Sequence, residues 1–265
     1  IIPIALYWEA IAPTSQRYKV FVHLLGPDAT LWGQHDSEPA GGSSSTTDWR
    51  PGEAVADNHG LPIALGTPPG ESGQYEIEVG MYDPATGQRL PVFDSNGNPI
   101  GDRVVLGTVQ VVKPAAFPSR ESLAIEHPLD VHYRELLLMG YEFFKLGTAT
   151  GNVDFRTGDL AHLALFWRAE AKPADYFPPS AVILDSANQE VARYNGTAAG
   201  KYGTSRWDPG EVVRDQYKLA LSIPPGSYRL ALIVTHAGGP LPVNPTGQGL
   251  KLIDGKLILA EFQVK

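Results

Sequence analysis

The sequence contains no cysteine, which excludes a disulfide framework and thiolate chemistry. No apolar run approaches the length needed to cross a bilayer, and the opening Ile1-Ile2-Pro3-Ile4 lacks the basic region of a signal peptide. That opening falls inside a strand-like pattern without a methionine, so the chain reads as a fragment, or as the ordered part, of something longer. Basic residues are outnumbered, 21 Lys and Arg against 29 Asp and Glu for a net charge of −8, and they form no cluster. Neutralising a phosphate backbone needs such a cluster, so nucleic acid is not an expected partner. Also missing are a Gly-x-Ser-x-Gly elbow, a phosphate loop and a dinucleotide fingerprint. The acidic residues Glu53, Asp57, Asp83 and Glu211 stand beside turns, where they give no independent sign of a glycosidase pair. Neither an enzyme nor a cofactor is expected.

Sustained 3.6-residue periodicity is the last absence, and with it helices. Glycine at 28 and proline at 23 fall between short apolar runs, and 43% hydrophobic residues suffice for a core. The strongest feature is a repeat. Trp49-Arg50-Pro51-Gly52-Glu53-Ala54-Val55-Ala56-Asp57 returns as Trp207-Asp208-Pro209-Gly210-Glu211-Val212-Val213-Arg214-Asp215. Leu6-Tyr7-Trp8 answers Leu165-Phe166-Trp167, Pro68-Pro69-Gly70 with Tyr75 answers Pro224-Pro225-Gly226 with Tyr228, and Leu90-Pro91-Val92 answers Leu241-Pro242-Val243. The offset drifts from 159 at Trp8 through 158 at Trp49 to 151 at Pro91, as in two copies of one fold with loops of different length.

Alternation predicts strands near Ile4–Glu9, at Tyr18–Leu25 (central in its sheet), around Leu31–Gln34, and at Val55–Ile63 with an edge-like character set by Pro62. Another covers Tyr75–Met81, with Glu76, Glu78 and Gly80 on the opposite face, and a further one Val104–Val112. Turns are expected at Gly26-Pro27-Asp28, at 70–73, at Tyr82–Leu90 and at Asn96-Gly97. After the linker Lys113–Ser122, strands follow at Leu136–Phe144, Leu163–Trp167, Ala181–Asp185, Glu190–Arg193, Tyr217–Ile223, Tyr228–Thr235, Lys251–Ile253 and Lys256–Val264. The expectation is an all-β protein of two tandem immunoglobulin-like β-sandwich domains, residues 1–115 and 116–265. The first lacks the opening strand that Leu136–Phe144 supplies to the second, and something must cover the edge so exposed.

The repeated Trp-x-Pro-Gly-Glu has two readings. It is a turn whose indole packs on the end of a sandwich, or an aromatic platform for a sugar ring. Under the second, Trp49, Trp207, Trp32 and Tyr202 stack, while Asp48, Arg50, Arg206 and Asp208 bond hydroxyls. His23, His35 and His59 lack metal-motif spacing, so no metal is expected. Asp94-x-Asn96-x-Asn98 resembles a calcium loop only in its oxygens, because Gly97 and Val105 break the pattern. Asn195-Gly196-Thr197 matches the N-glycosylation acceptor.

Leu165-Phe166-Trp167, Trp207-x-Pro209-Gly210-Glu211, Ile223–Tyr228 and Val79–Val92 together resemble extracytoplasmic β-sandwich repeats of bacterial, Chloroflexi-like membrane proteins. Some of those follow glycosyltransferase-like membrane regions. His127-Pro128-Leu129-Asp130 and Gly140-Tyr141 resemble the start of such a repeat. The resemblance departs at 235–250, where Thr235-His236-Ala237-Gly238-Gly239-Pro240 replaces the Tyr-Asp-Pro-Ala-Thr-Gly turn. It implies an extracytoplasmic or cell-surface accessory module on a parent chain anchored in the membrane, with a glycan or a cell-envelope protein as partner. A structural spacer or protein-interaction module remains the alternative.

Overall fold

The computed structural model describes the chain except residues 27–28, 71–73, 149–150, 197–198, 200–201, 238 and 246–249. The Pro27-Asp28 turn, most of the 70–73 turn, Thr197 of the glycosylation triad and parts of 235–250 therefore lie outside the described residues. The protein is all-β, and no helix among the described residues is long and apolar enough to cross a membrane. It forms two compact units, Ile1–Val112 and Lys113–Lys265.

The first unit contains β1 (Ile2–Glu9), β2 (Lys19–Leu25), β3 (Leu31–Ser37), β4 (Ala54–Leu61), β5 (Tyr75–Tyr82), β6 (Val92–Phe93), β7 (Pro99–Gly101) and β8 (Val104–Val109). β1 pairs antiparallel with β4, and β3-β2-β5-β8 form a second sheet in that order. Val20, Val22 and Leu24 of β2 and Tyr75, Ile77 and Val79 of β5 build a core, on which Ile2, Ile4, Leu6 and Trp8 of β1 are only half-buried. β6 and β7 form a hairpin around Gly97, which takes the left-handed φ of 81° that this turn needs. Asp94 turns its oxygens inward there, accepting the amides of Asn96 and Asn98. Those bonds, Asn98's foremost, hold its carboxyl below the usual range, and they use the oxygens that the calcium pattern would offer.

The second unit contains β9 (His127–Tyr133), β10 (Leu136–Lys145), β11 (Asp154–Phe155), β12 (Leu160–Ala169), β13 (Pro179–Leu184), β14 (Glu190–Asn195), β15 (Val212–Ala220), β16 (Gly226–His236), β17 (Gly239–Pro240), β18 (Asn244–Pro245), β19 (Lys251–Ile253) and β20 (Lys256–Val264). One sheet runs β15-β12-β10-β9-β18 and the other β11-β20-β16-β13-β14, with β17 and β19 at its margin. Their facing side chains form one continuous core that includes Phe143, Leu165, Trp167, Leu232 and Leu257. One local expectation needs correction. The strand after the repeated turn begins at Val212, because the turn feeds directly into pairing with β12, and it ends before Ile223. His127–Tyr133 is a strand despite Pro128, because it pairs with β10 across a bulge at Gly140.

The repeat offsets superimpose the pairing schemes. β1 and β4 correspond to β12 and β15, and β3-β2-β5-β8 correspond to β14-β13-β16-β20. Even the bulge is shared: β5–β8 skips Leu106 and β16–β20 skips Leu259. Among the described residues, β9 and β10 have no counterpart in the first unit.

Candidate functional site

The repeated turn is built identically in both units. Pro presets the first central position and Gly adopts a φ of 81° at Gly52 and 82° at Gly210, the pairing that a type II turn demands. The Glu53 amide donates to Arg50 O and the Glu211 amide to Asp208 O, each at 2.9 Å. Each glutamate then folds back, so that Glu53 Oε2 accepts the Arg50 amide at 3.2 Å and Glu211 Oε2 the Asp208 amide at 2.8 Å. The glycine amides dock the turn at the ends of β1 and β12, Gly52 on Ala10 O at 2.8 Å, just past β1, and Gly210 on Ala169 O at 2.7 Å. The indole N–H closes the loop before it, Trp49 donating to Ser44 Oγ at 2.9 Å and Trp207 to Tyr202 O at 3.0 Å.

Two further residues repeat with the motif and were given no role by sequence reasoning. Thr46 and Thr204, both buried, receive the amides of Tyr18 at 3.1 Å and Phe177 at 2.7 Å. Asp57 and Asp215, also buried, accept the amides of Ala40 at 2.8 Å and Ala199 at 2.6 Å. Each therefore pins the long loop against its sandwich. The signal that would have found them is the offset of 158, which both pairs share with the tryptophans.

The eight sugar-site candidates divide on this scaffold. Trp207 is fully buried, and Trp32 and Tyr202 are buried as well, so none of these three rings can receive a sugar face. Trp32 lies under Gly26, where a Cβ would stand 2.5 Å from its Nε1. Tyr202 donates its hydroxyl to Glu211 Oε1 at 2.7 Å. Trp49 is half-buried, with Asp48 and Arg50 exposed beside it. Arg206 is exposed and places its guanidinium 5.1 Å from the centre of the Tyr202 ring. Asp208 is ion-paired with Lys113 at 2.5 Å and Lys172 at 3.3 Å, which hold its carboxyl below the usual range.

Lys113 draws the charges of this corner of the second unit together. Its ammonium also reaches Glu211 Oε2 at 2.9 Å and Arg206 O at 3.3 Å. Burial pulls its pKa down, but the bonds to Asp208, Tyr202 and Glu211 outweigh it and raise the value above that of a free lysine. The cluster is thus an ion-paired network that ties the start of the linker to the repeated turn.

In the first unit the fold brings His35 and His59 together, Nδ1 to Nδ1 at 2.8 Å. His59 lies over Asp57, which accepts the Trp8 indole N–H at 3.0 Å. Sharing one hydrogen bond occupies a nitrogen of each ring, and among the described residues no three His, Asp or Glu side chains gather as metal ligands.

A different cluster covers the outer face of β2 and β5. Glu78, on the face opposite Ile77 and Val79, is buried there. It accepts from Arg103 at 2.8 Å and Arg89 at 3.2 Å, while His23 bridges it to Asp36 through contacts of 3.1 and 3.2 Å. The corresponding positions in the second unit, Val182 and Ala231, are apolar.

Two buried titratable groups give the second unit a testable pH response. Burial pushes the Asp215 carboxyl up to about 6 against the hydrogen bonds from Tyr217 and Ala199. Burial, with Arg214 and Lys218 nearby, pushes His162 down to about 4. As pH falls from about 6 to 4 the native state takes up the Asp215 proton first, which adds stability. From about 6.5 to 4 the unfolded state takes up the His162 proton first, which removes it. Each shift of about two units corresponds to roughly 3 kcal/mol with opposite sign. Relative to wild type, Asp215→Asn is expected to lose up to about 3 kcal/mol between pH 6.5 and 4, and His162→Phe to gain about as much. Urea unfolding at several pH values, followed in the second unit, measures both differences; equal slopes in all three proteins would contradict the assignment.

The remaining feature is an apolar groove of about 410 Å³ in the first unit, lined by Leu6, Trp8, Met81, Val92, Val104 and Leu106 with their neighbours. Its lining takes residues from β1, β5, β6 and β8 and none from β4, the strand with which β1 pairs. No protein-family model matches this chain, and no curated protein matches it.

Proposed function

We propose that the chain is a non-catalytic accessory module whose work is structural spacing and protein contact rather than sugar recognition. The observation that carries this is the burial of Trp207, Trp32 and Tyr202, which turns the repeated motif from a platform into a staple. The carboxylates in and beside the motif are committed likewise, Glu211 to Lys113 and Tyr202, and Asp57 to Trp8 and Ala40. An immunoglobulin-like arrangement of both units is supported by the strand orders and by the two repeated tyrosines. Tyr75 donates its hydroxyl to Pro68 O at 2.8 Å and Tyr228 to Pro224 O at 2.7 Å, as in the tyrosine corner of such sandwiches. The extracytoplasmic setting, and a membrane-attached glycosyltransferase-like enzyme as the body held in place, rest on the resemblance of the repeat motifs.

The test is a glycan array probed with the intact chain. The expected result is no signal that free sugar competes away. A saturable signal lost in Trp49→Ala would restore the sugar reading, because Trp49 is the one candidate ring that keeps partial contact with solvent.

A further inference from the structure

The second unit shows what fills the groove of the first. There β10 lies antiparallel to β12, with Leu138 opposite Trp167, Tyr141 opposite Leu165 and Phe143 opposite Leu163. Tyr141 donates its hydroxyl to the carbonyl of Leu259 in the opposite sheet, and Phe143 packs on Phe262 with ring centres 5.4 Å apart. Under that cover Leu165, Trp167 and Leu257 are buried. By the repeat register, Ile4, Leu6 and Trp8 of β1 stand where Leu163, Leu165 and Trp167 stand, and Val104 and Leu106 where Leu257 and Leu259 stand. Yet in the first unit Val104 is 44% and Leu106 46% exposed. The outer face is bare as well: Tyr7 is 77% exposed, whereas its counterpart Phe166 is buried against Leu137 and Met139.

We infer that the edge of β1 away from β4, unpaired among the described residues, is the docking place for an extended polypeptide strand of β10's chemistry. The occupant runs antiparallel to β1. It sets a large aliphatic residue opposite Trp8, a tyrosine opposite Leu6 with its hydroxyl reaching the Leu106 carbonyl, and an aromatic residue opposite Ile4. Main-chain hydrogen bonds supply affinity, and the groove selects the alternate side chains. A sugar satisfies neither requirement, because the groove is apolar and the edge needs amides and carbonyls in strand register. This inference rests on the reading of the chain as a protein-interaction module and names the partner's form.

Ile1 stands at the register of Leu160, so a copy of residues 120–159 placed directly ahead of Ile1 gives the first unit the same order of strands as the second. In the full chain carrying this graft, amide exchange at residues 2–9 is expected to slow by about tenfold or more, with β12 serving as the internal reference. A second graft whose copied tyrosine and phenylalanine are changed, Tyr141→Asp and Phe143→Asp, is expected to leave residues 2–9 as they are in the parent chain. Unchanged exchange with the first graft would overturn the inference. So would a parent chain whose β1 is already protected in a concentration-dependent dimer, since a second copy would then be the occupant. A glycan bound on the array would overturn the functional reading while leaving the exchange result intact, so the two failures are distinguishable.

Discussion

Trp207→Ala is expected to destabilise the second unit by about 3–5 kcal/mol, the loss typical of a large aromatic side chain removed from a packed core. Trp207 is among the largest fully buried side chains of the chain. Its indole N–H satisfies the Tyr202 carbonyl, and the turn beyond it feeds β15 into pairing with β12. Trp49→Ala removes the same residue from the same motif, but from a half-buried site whose hydrogen bonds go to Ser44. Its expected effect is about 1–2 kcal/mol, scaled to the smaller apolar area that it withdraws from water. Trp207→Phe keeps most of the ring and strands the carbonyl, at a cost of about 1–3 kcal/mol. Urea unfolding read by amide exchange at β12 and β4 separates the two units. Equal losses for Trp49→Ala and Trp207→Ala would mean that the motif does the same work in both, and a loss below about 1 kcal/mol for Trp207→Ala would mean that it is no staple.

That contrast also shows how far the sequence is legible. The repeat, the strand alternation of β1, β2 and β5 and the Pro-Gly turn are local properties, and each is visible in the order of residues. Whether a repeated tryptophan is buried depends on the loop that folds over it, and those loops differ: Tyr202 and Lys113 close over one turn, while Ser44 stands at the position of Tyr202 in the other. Glu78 illustrates the same limit within a strand. Period-two alternation correctly sets it opposite Ile77 and Val79, but its burial is decided by Arg89 and Arg103, which arrive from outside β5. The groove lies where, among the described residues, the first unit has no strand corresponding to β10. Its volume and lining depend on side chains from β1, β5 and β8 that no window of sequence brings together.

Glu78→Ala is the second large effect expected. Removing one member of a buried ionic network costs about 3–5 kcal/mol when its partners are left uncompensated. Here the lower end applies, because the arginines sit at the rim, Arg89 keeping the Phe21 ring at 4.1 Å and Arg103 free to turn to water. His23 has less freedom: it is half-buried between Glu78 and Asp36, and its Nδ1 loses its partner. The second unit solves the same position with Val182 opposite Ala231. Adding His23→Val to Glu78→Ala copies that pair into β2 and β5, and is expected to recover about 1 kcal/mol or more of the loss, since an apolar replacement relieves the stranded polar group. Recovery stays partial because Ile253 and Ile258 cover the apolar pair in the second unit, whereas Val105, at the register of Ile258, is exposed in the first. Urea unfolding of wild type, the two single variants and the double variant at pH 7 closes the cycle. A double variant whose loss equals the sum of its singles would show that His23 and Glu78 act independently, and the network would then be a set of separate contacts rather than one unit.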